Sequence, residues 1–262
     1  MRVGAQQPPW RVVRGFPDAR GGVLVHLHNV SGGVLAGDDL TLVVDVGAGA
    51  KAQVTSTGAT RLYRHRERSE DSRQNNLLTV GKGALLEYLP DALIPYASSR
   101  HNQRTSVLLA DGATFFWWET LAPGRKAMGE TFAFERLSIE TEIRTARGPV
   151  LLENFVLEPK LRPLTSLARM GRFTHMATFV AFQVGRPQSE LRQLESELSG
   201  IAACESARTG NYWGASALAS DGVMVRGLSE SSLELPSGLT RFWSAARQFL
   251  TGECAIPPRK LK

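Results

Sequence analysis

The sequence predicts a mainly β protein: stacked β-hairpins in a β-helix-like or curved-sandwich body, with two α-helices in the C-terminal third. Three observations carry this. Leu40, Leu42, Val44 and Val46 alternate with Thr41, Val43 and Asp45, a period of two that marks a half-buried strand. Glycine turns recur at Gly47 and Gly49, Gly81 and Gly83, Asp111-Gly112 and Gly148-Pro149, each followed by a more apolar return: AKAQV, ALLEYL, ATFFWWETL and PVLLENFVL. After Pro187 the periodicity becomes helical.

Taken in order, residues 1–9 carry no pattern, and residues 10–13 suit a short edge strand ended by Gly15, Phe16 and Pro17. Residues 23–28 alternate again, with His26 and His28 on one face, a spacing compatible with metal binding but without a third ligand nearby. Residues 31–64 form a glycine-rich turn bearing Asp38 and Asp39, then a strand and return ending in Thr55, Ser56, Thr57, Thr60, Arg61, Tyr63 and Arg64. The turn glycines Gly49, Gly83, Gly112 and Gly148 stand 34, 29 and 36 residues apart, which suits stacked hairpins and is too irregular for a strict repeat. In the last third, Ser189 is placed to cap a helix carrying Leu191, Leu194, Leu198 and Ile201, and a second helix is expected over residues 239–250. Residues 216–228 read as a hairpin turning at Asp221-Gly222.

The 262 residues are read as a single domain, 1–20 being its N-terminal edge and 187–252 its helix-containing part. No apolar h-region follows Met1-Arg2, and the densest apolar patch, residues 115–118, is far short of the ~20 residues of a membrane span. Cys204 and Cys254 are isolated, so a cytoplasmic location is expected. The net charge of +6 comes from 25 Arg against 6 Lys, a balance suited to protein interfaces. The densest basic run, residues 61–73, is interrupted by Glu67, Glu70 and Asp71, which argues against a nucleic-acid footprint.

Two carboxylates stand out by position. Glu119 shares its strand face with Phe115, Trp117 and Leu121, and Glu153 shares its face with Leu151, Phe155 and Leu157. A carboxylate facing an apolar layer must be paired, neutralised or bound to a cation, unless a bulge re-aims it to solvent. Stacked hairpins would bring Asp38, Thr60, Glu119 and Glu153 onto one internal line. No GxSxG, GxxxxGK or strand-to-helix GxGxxG is present, and GGVLAGD leads into a strand, where no helix dipole awaits a phosphate. Spaced oxygen ligands suit transient cation handling better than a fixed catalytic metal.

The ordered set Gly32-Gly33-Val34 with Gly37-Asp38, residues 57–64 (TGATRLYR), residues 86–90 (LEYLP) with Ile94-Pro95-Tyr96, Gly124-Arg125 with residues 129–132 (GETF), residues 151–153 (LLE), and Trp243, Arg247, Gly252 and Pro258-Arg259 resembles the urease accessory protein family UreD, called UreH in some bacteria. The likeness runs over roughly residues 30–260. It implies a non-enzymatic scaffold in the complex that delivers nickel to apo-urease, bound to UreF and, through it, to the GTPase UreG, and touching the urease subunits. It also implies a β-rich fold with two helices, no permanent cofactor, and a polar passage for transient Ni²⁺. By motif, that passage would use Asp38, Glu153 and Glu119, lined by Thr60, Tyr63 and Arg64, with Trp243, Arg247, Pro258 and Arg259 serving partners. The chain before Gly32 is shorter than is usual in the family, so one or two N-terminal strands are expected to be absent. Ala36 stands where glycine is common, and the usual aromatic after Pro258-Arg259 is missing. The alternative, from another class, is a small-molecule hydrolase using Asp38, Glu119 and Glu153 as acid and base.

Overall fold

In the computed structural model, which describes residues 1–18 and 20–258, the chain starts with β1 (Trp10–Arg11), β2 (Gly15–Pro17) and β3 (Val23–Asn29). Both short strands pair antiparallel with β3. Residues 15–17, expected to end a strand, form one, because they find partners in Val25, Leu24 and Val23.

The chain then winds through β4 (Asp39–Val46), β5 (Lys51–Ser56), β6 (Thr60–Leu62), β7 (Ser72–Val80), β8 (Leu85–Tyr88), β9 (Leu93–Pro95), β10 (Arg100–Leu109), β11 (Thr114–Leu121) and β12 (Arg136–Thr145). It ends with β13 (Gly148–Leu157), β14 (His175–Gln183), α1 (Gln188–Thr209), β15 (Tyr212–Ala217), β16 (Gly222–Ser229) and α2 (Leu235–Thr251). β4, β7, β10 and β12 pair in parallel in a five-stranded sheet bordered by antiparallel β13. β3, β5, β8 and β11 pair in parallel in the larger sheet, which continues antiparallel through β14, β16 and β15. From β4 to β12, successive long strands therefore alternate between two facing sheets.

This corrects the reading of the glycine turns. Gly47 and Gly49, Gly81 and Gly83, and Gly112 lie where the chain crosses from one sheet to the other, so the units that stack are β-helix-like coils. The turn at Gly148 closes a true hairpin between β12 and β13, and Asp221-Gly222 closes the one between β15 and β16. The parallel register supplies the stacking: Val44, Leu78, Val107 and Ile143 are successive neighbours across the smaller sheet.

α1 and α2 cover the outer face of the larger sheet. Leu191, Leu194, Leu198, Leu239, Phe242 and Trp243 pack there with Leu85, Phe116, Phe179 and Val225. β11 is thus covered on both faces, which explains its unbroken TFFWW run. α1 is preceded by Pro187 and has no side-chain cap, so Ser189 lies inside the helix. α2 begins four residues earlier than expected, because Pro236 is well suited to a first turn. Among the described residues no helix is long and apolar enough to cross a membrane.

One glycine of the GGV segment is required by close approach. A Cβ on Gly33 would sit 2.6 Å from the Arg61 carbonyl oxygen, which already accepts the Val34 N–H at 2.8 Å. Gly33→Ala is expected to cost about 1–3 kcal/mol, the usual penalty of overpacking. Thermal unfolding checks this, at roughly 2–4 °C per kcal/mol for a chain of this size, and an unchanged midpoint would refute it.

Candidate functional site

The interior between the two sheets changes character along the strands. On the smaller sheet, the aliphatic row of Val44, Leu78, Val107 and Ile143 is followed by Leu42, Asn76, Thr105, Thr141 and Glu153, then by Leu40, Gln74, Gln103 and Ile139. Asn76, Thr105, Thr141, Gln74 and Gln103 are all buried. A polar layer therefore lies between two apolar cores, one around Phe115, Trp117 and Val180 and the other around Val34, Leu62, Leu121 and Phe134.

This layer opens into a cavity of about 280 Å³. Residues 55–61, at the end of β5 and the start of β6, form one wall, with Pro90, Asp91 and Leu93 beside them. Gln74, Asn76, Gln103 and Thr105 come from the smaller sheet, and Tyr88, Trp117 and Glu119 from the larger. Its charged lining residues are Arg61, Asp91 and Glu119.

Glu119 is the deep acid of the cavity. Gln103 Nε2 donates to its Oε1 across the gap between the sheets. Burial pushes its carboxyl up to about 7, an effect that the Gln103 hydrogen bond only partly opposes. Glu119 is half-buried and lines the cavity. Beside it, Tyr88 is held well above its ordinary range, first by burial and then by the Glu119 charge. An amide chain completes the lining: Gln74 Nε2 donates to Asn76 Oδ1 at 3.1 Å, and Asn76 Nδ2 donates to Thr105 Oγ1 at 3.0 Å. At the mouth, Ser56 Oγ donates to Asp91 Oδ2 at 3.0 Å and accepts the Asp91 N–H at 2.7 Å.

His101, two residues before Gln103 on the same inward face of β10, is buried and lowered to about 4 by that burial. Ser72 Oγ lies 3.0 Å from the Arg100 carbonyl oxygen and 2.9 Å from His101 Nδ1, so this hydroxyl holds the imidazole in place.

The sequence-derived line of four residues separates. Thr60 and Glu119 line the cavity together. Asp38 closes its own surface turn: its Oδ2 accepts the Leu35 N–H at 2.8 Å, and its N–H donates to the Leu35 carbonyl at 3.1 Å. Glu153 lies in the polar layer but outside the cavity lining, ion-paired with Arg226 of β16. Tyr63 stands beside Gly33 with its ring edge-on to Tyr96 at 5.3 Å, and Arg64 is exposed. Of the three acids invoked for a hydrolase, only Glu119 reaches the cavity, so the pair that mechanism needs is not assembled.

Trp243 and Arg247 are buried beneath α2, where sequence reasoning had them serve partners. Trp243 Nε1 and Arg247 Nε both donate to Glu87 Oε1, at 2.8 and 2.9 Å. Arg247 Nη1 also holds the carbonyls of Glu253 and Cys254, which fixes the segment leading to Pro258. Arg259 lies outside the described residues. Glu87, Asp91 and His101 were missed. Glu87 shares a strand face with Leu85 and Leu89, the signal that singled out Glu119, and His101 shares the buried face of β10 with Val107 and Leu109. Asp91, in a loop after Pro90, carries no such signal.

The family described as UreD urease accessory protein matches residues 1–261. The chain belongs to the UreD family. It is 40% identical over 261 residues to a urease accessory protein UreD of Herpetosiphon aurantiacus, covering 100% of this chain and 91% of that protein. A UreD of Halalkalibacterium halodurans is 30% identical over 230 residues, covering 87% of this chain and 81% of that one. Membership of UreD places the chain in urease maturation, as an accessory protein rather than a known type of enzyme. Among the described residues no group of three or more His, Cys, Asp or Glu side chains is placed to hold a metal ion. The cavity instead offers hydroxyl, amide and carboxylate oxygens, the donor set of a weak cation site.

Proposed function

We propose that this UreD protein passes Ni²⁺ through its interior to the apo-urease active site, working in the cytoplasm in a complex with UreF and, through it, the GTPase UreG. The observation that carries the reading is the Glu119 cavity. Its one deep carboxylate is held by the neutral Gln103 and by no arginine or lysine among the described residues, which leaves it free to receive a cation. Ni²⁺ is cargo here, with no resident cofactor. A ligand set of one carboxylate among hydroxyls and amides binds weakly enough to release what it takes, whereas a His/Cys cage would retain it. Thr60 forms the mouth with Asp91 and Arg61, and Asp38 shapes the surface turn that leads into β4. Trp243 and Arg247 act on partners indirectly, by fixing α2 and the segment that carries Pro258.

The test is co-expression of urease with its accessory proteins, with and without this chain, reading nickel content and activity of the purified urease. Nickel-poor, inactive urease without the chain, and recovery with it, are expected. Full nickel loading in its absence would refute the role.

A further inference from the structure

We infer that Arg226 is the plug that closes the far end of the interior polar layer. The inference rests on the passage reading and adds its second opening. Glu119, Thr178 and Arg226 are consecutive neighbours across β11, β14 and β16, so their side chains share the inward face of the larger sheet. Facing them, Asn76, Thr105, Thr141 and Glu153 are consecutive neighbours across β7, β10, β12 and β13. The cavity includes Asn76, Thr105 and Glu119 and stops there. One buried threonine from each sheet, Thr178 and Thr141, separates it from the closing pair. That pair is Arg226 and Glu153, in direct contact from one sheet to the other; β13 is the edge of the smaller sheet, β16 is the last strand but one of the larger, and both lie on the far side of β11 from the β5 and β6 segment that carries Thr60.

The two partners differ in freedom. The Glu153 side chain is 7% exposed, whereas that of Arg226 is 54% exposed. The guanidinium lies 5.6 Å from the Phe155 ring centroid. Arg226 can leave by rotating its own long side chain outward, with no strand moving. Beyond it lies a row of hydroxyls and one carboxylate, the same oxygen donors that line the cavity. A cation reaching Glu153 would replace the guanidinium charge it displaces, so opening and passage are electrostatically matched.

The experiment places a single reporter cysteine at Thr178 in the full chain, with Cys204 and Cys254 changed to serine, and measures its rate of modification by a small water-soluble thiol reagent. With Arg226 present the thiol is expected to be protected. Arg226→Ala is expected to raise the rate up to about fivefold, the scale on which loss of one part-exposed ion pair shifts a local opening equilibrium. Glu153→Gln, which keeps the shape of the site and removes the charge, is expected to act in the same direction if Arg226→Ala does not fold. An unchanged rate in either folded variant overturns the plug. Nickel loading of co-expressed urease separates the two readings: a faster thiol with altered nickel transfer supports both, and a faster thiol with unaltered transfer leaves the plug standing and removes the passage.

Discussion

Glu87→Ala is expected to destabilise the chain by about 3–5 kcal/mol, the cost of leaving one member of a buried ion pair alone. Glu87 is 5% exposed and collects three donors: Gln53 Nε2 at 3.0 Å on one oxygen, and Trp243 Nε1 and Arg247 Nε on the other. Burial pushes its carboxyl up even against the Arg247 charge, a sign of how costly the site is without its partners. Removing the carboxylate strands a buried guanidinium and an indole N–H beneath α2, and loosens the grip of Arg247 on the 253–254 carbonyls. Glu87→Gln keeps an acceptor and should cost less. Chemical denaturation of the two variants checks the order. A loss below about 1 kcal/mol for Glu87→Ala would mean that Glu253, 3.2 Å from Arg247 Nη2, suffices to balance the charge.

Glu119→Gln is expected to do two things at once: stabilise the protein at alkaline pH and lower nickel delivery. The carboxyl titrates near 7 when folded against an ordinary 4.5. Between those values the native state holds a proton that the unfolded chain has lost, so stability falls as pH rises through the window and the full penalty applies above 7. Glutamine carries no charge, so the variant should gain up to about 3 kcal/mol at pH 8 and little at pH 4. His101 works in the opposite sense. Its folded value near 4 lies below the ordinary 6.5, so stability is lost as pH falls from 6.5 towards 4. In the parent chain the two slopes oppose each other, and in Glu119→Gln the His101 slope should stand alone. Denaturation midpoints at pH 4, 6 and 8 read this, and urease nickel content reads the delivery. Equal midpoints for parent and variant at pH 8 would mean that Glu119 is better solvated than the cavity implies.

Much of the fold could be read from local pattern. The alternation of residues 40–46, the first helix after Pro187 and the hairpin at Asp221-Gly222 appear where the periodicity places them, and the second helix only starts four residues early. The misreading of the glycine turns has a definite cause. Glycine at positive φ turns the chain equally well into a hairpin or across to a facing sheet, as Gly49 and Gly83 do. What chooses is whether the next strand finds its partner beside it or one coil earlier, and β4 pairs with β7, not with β5. That is a long-range energy with no local mark.

The same division runs through the site. Local pattern alone shows a β-rich chain with two C-terminal helices, and shows Glu119 and Glu153 as carboxylates on apolar strand faces in need of an explanation. Which explanation applies to each depends on contacts between distant parts of the chain. Glu153 meets Arg226, 73 positions later, and is neutralised; Glu119 meets Gln103, which offers a hydrogen bond and no charge. A carboxylate's fate depends on the charge that packs against it, and in a coiled β fold that charge arrives from a different turn of the chain.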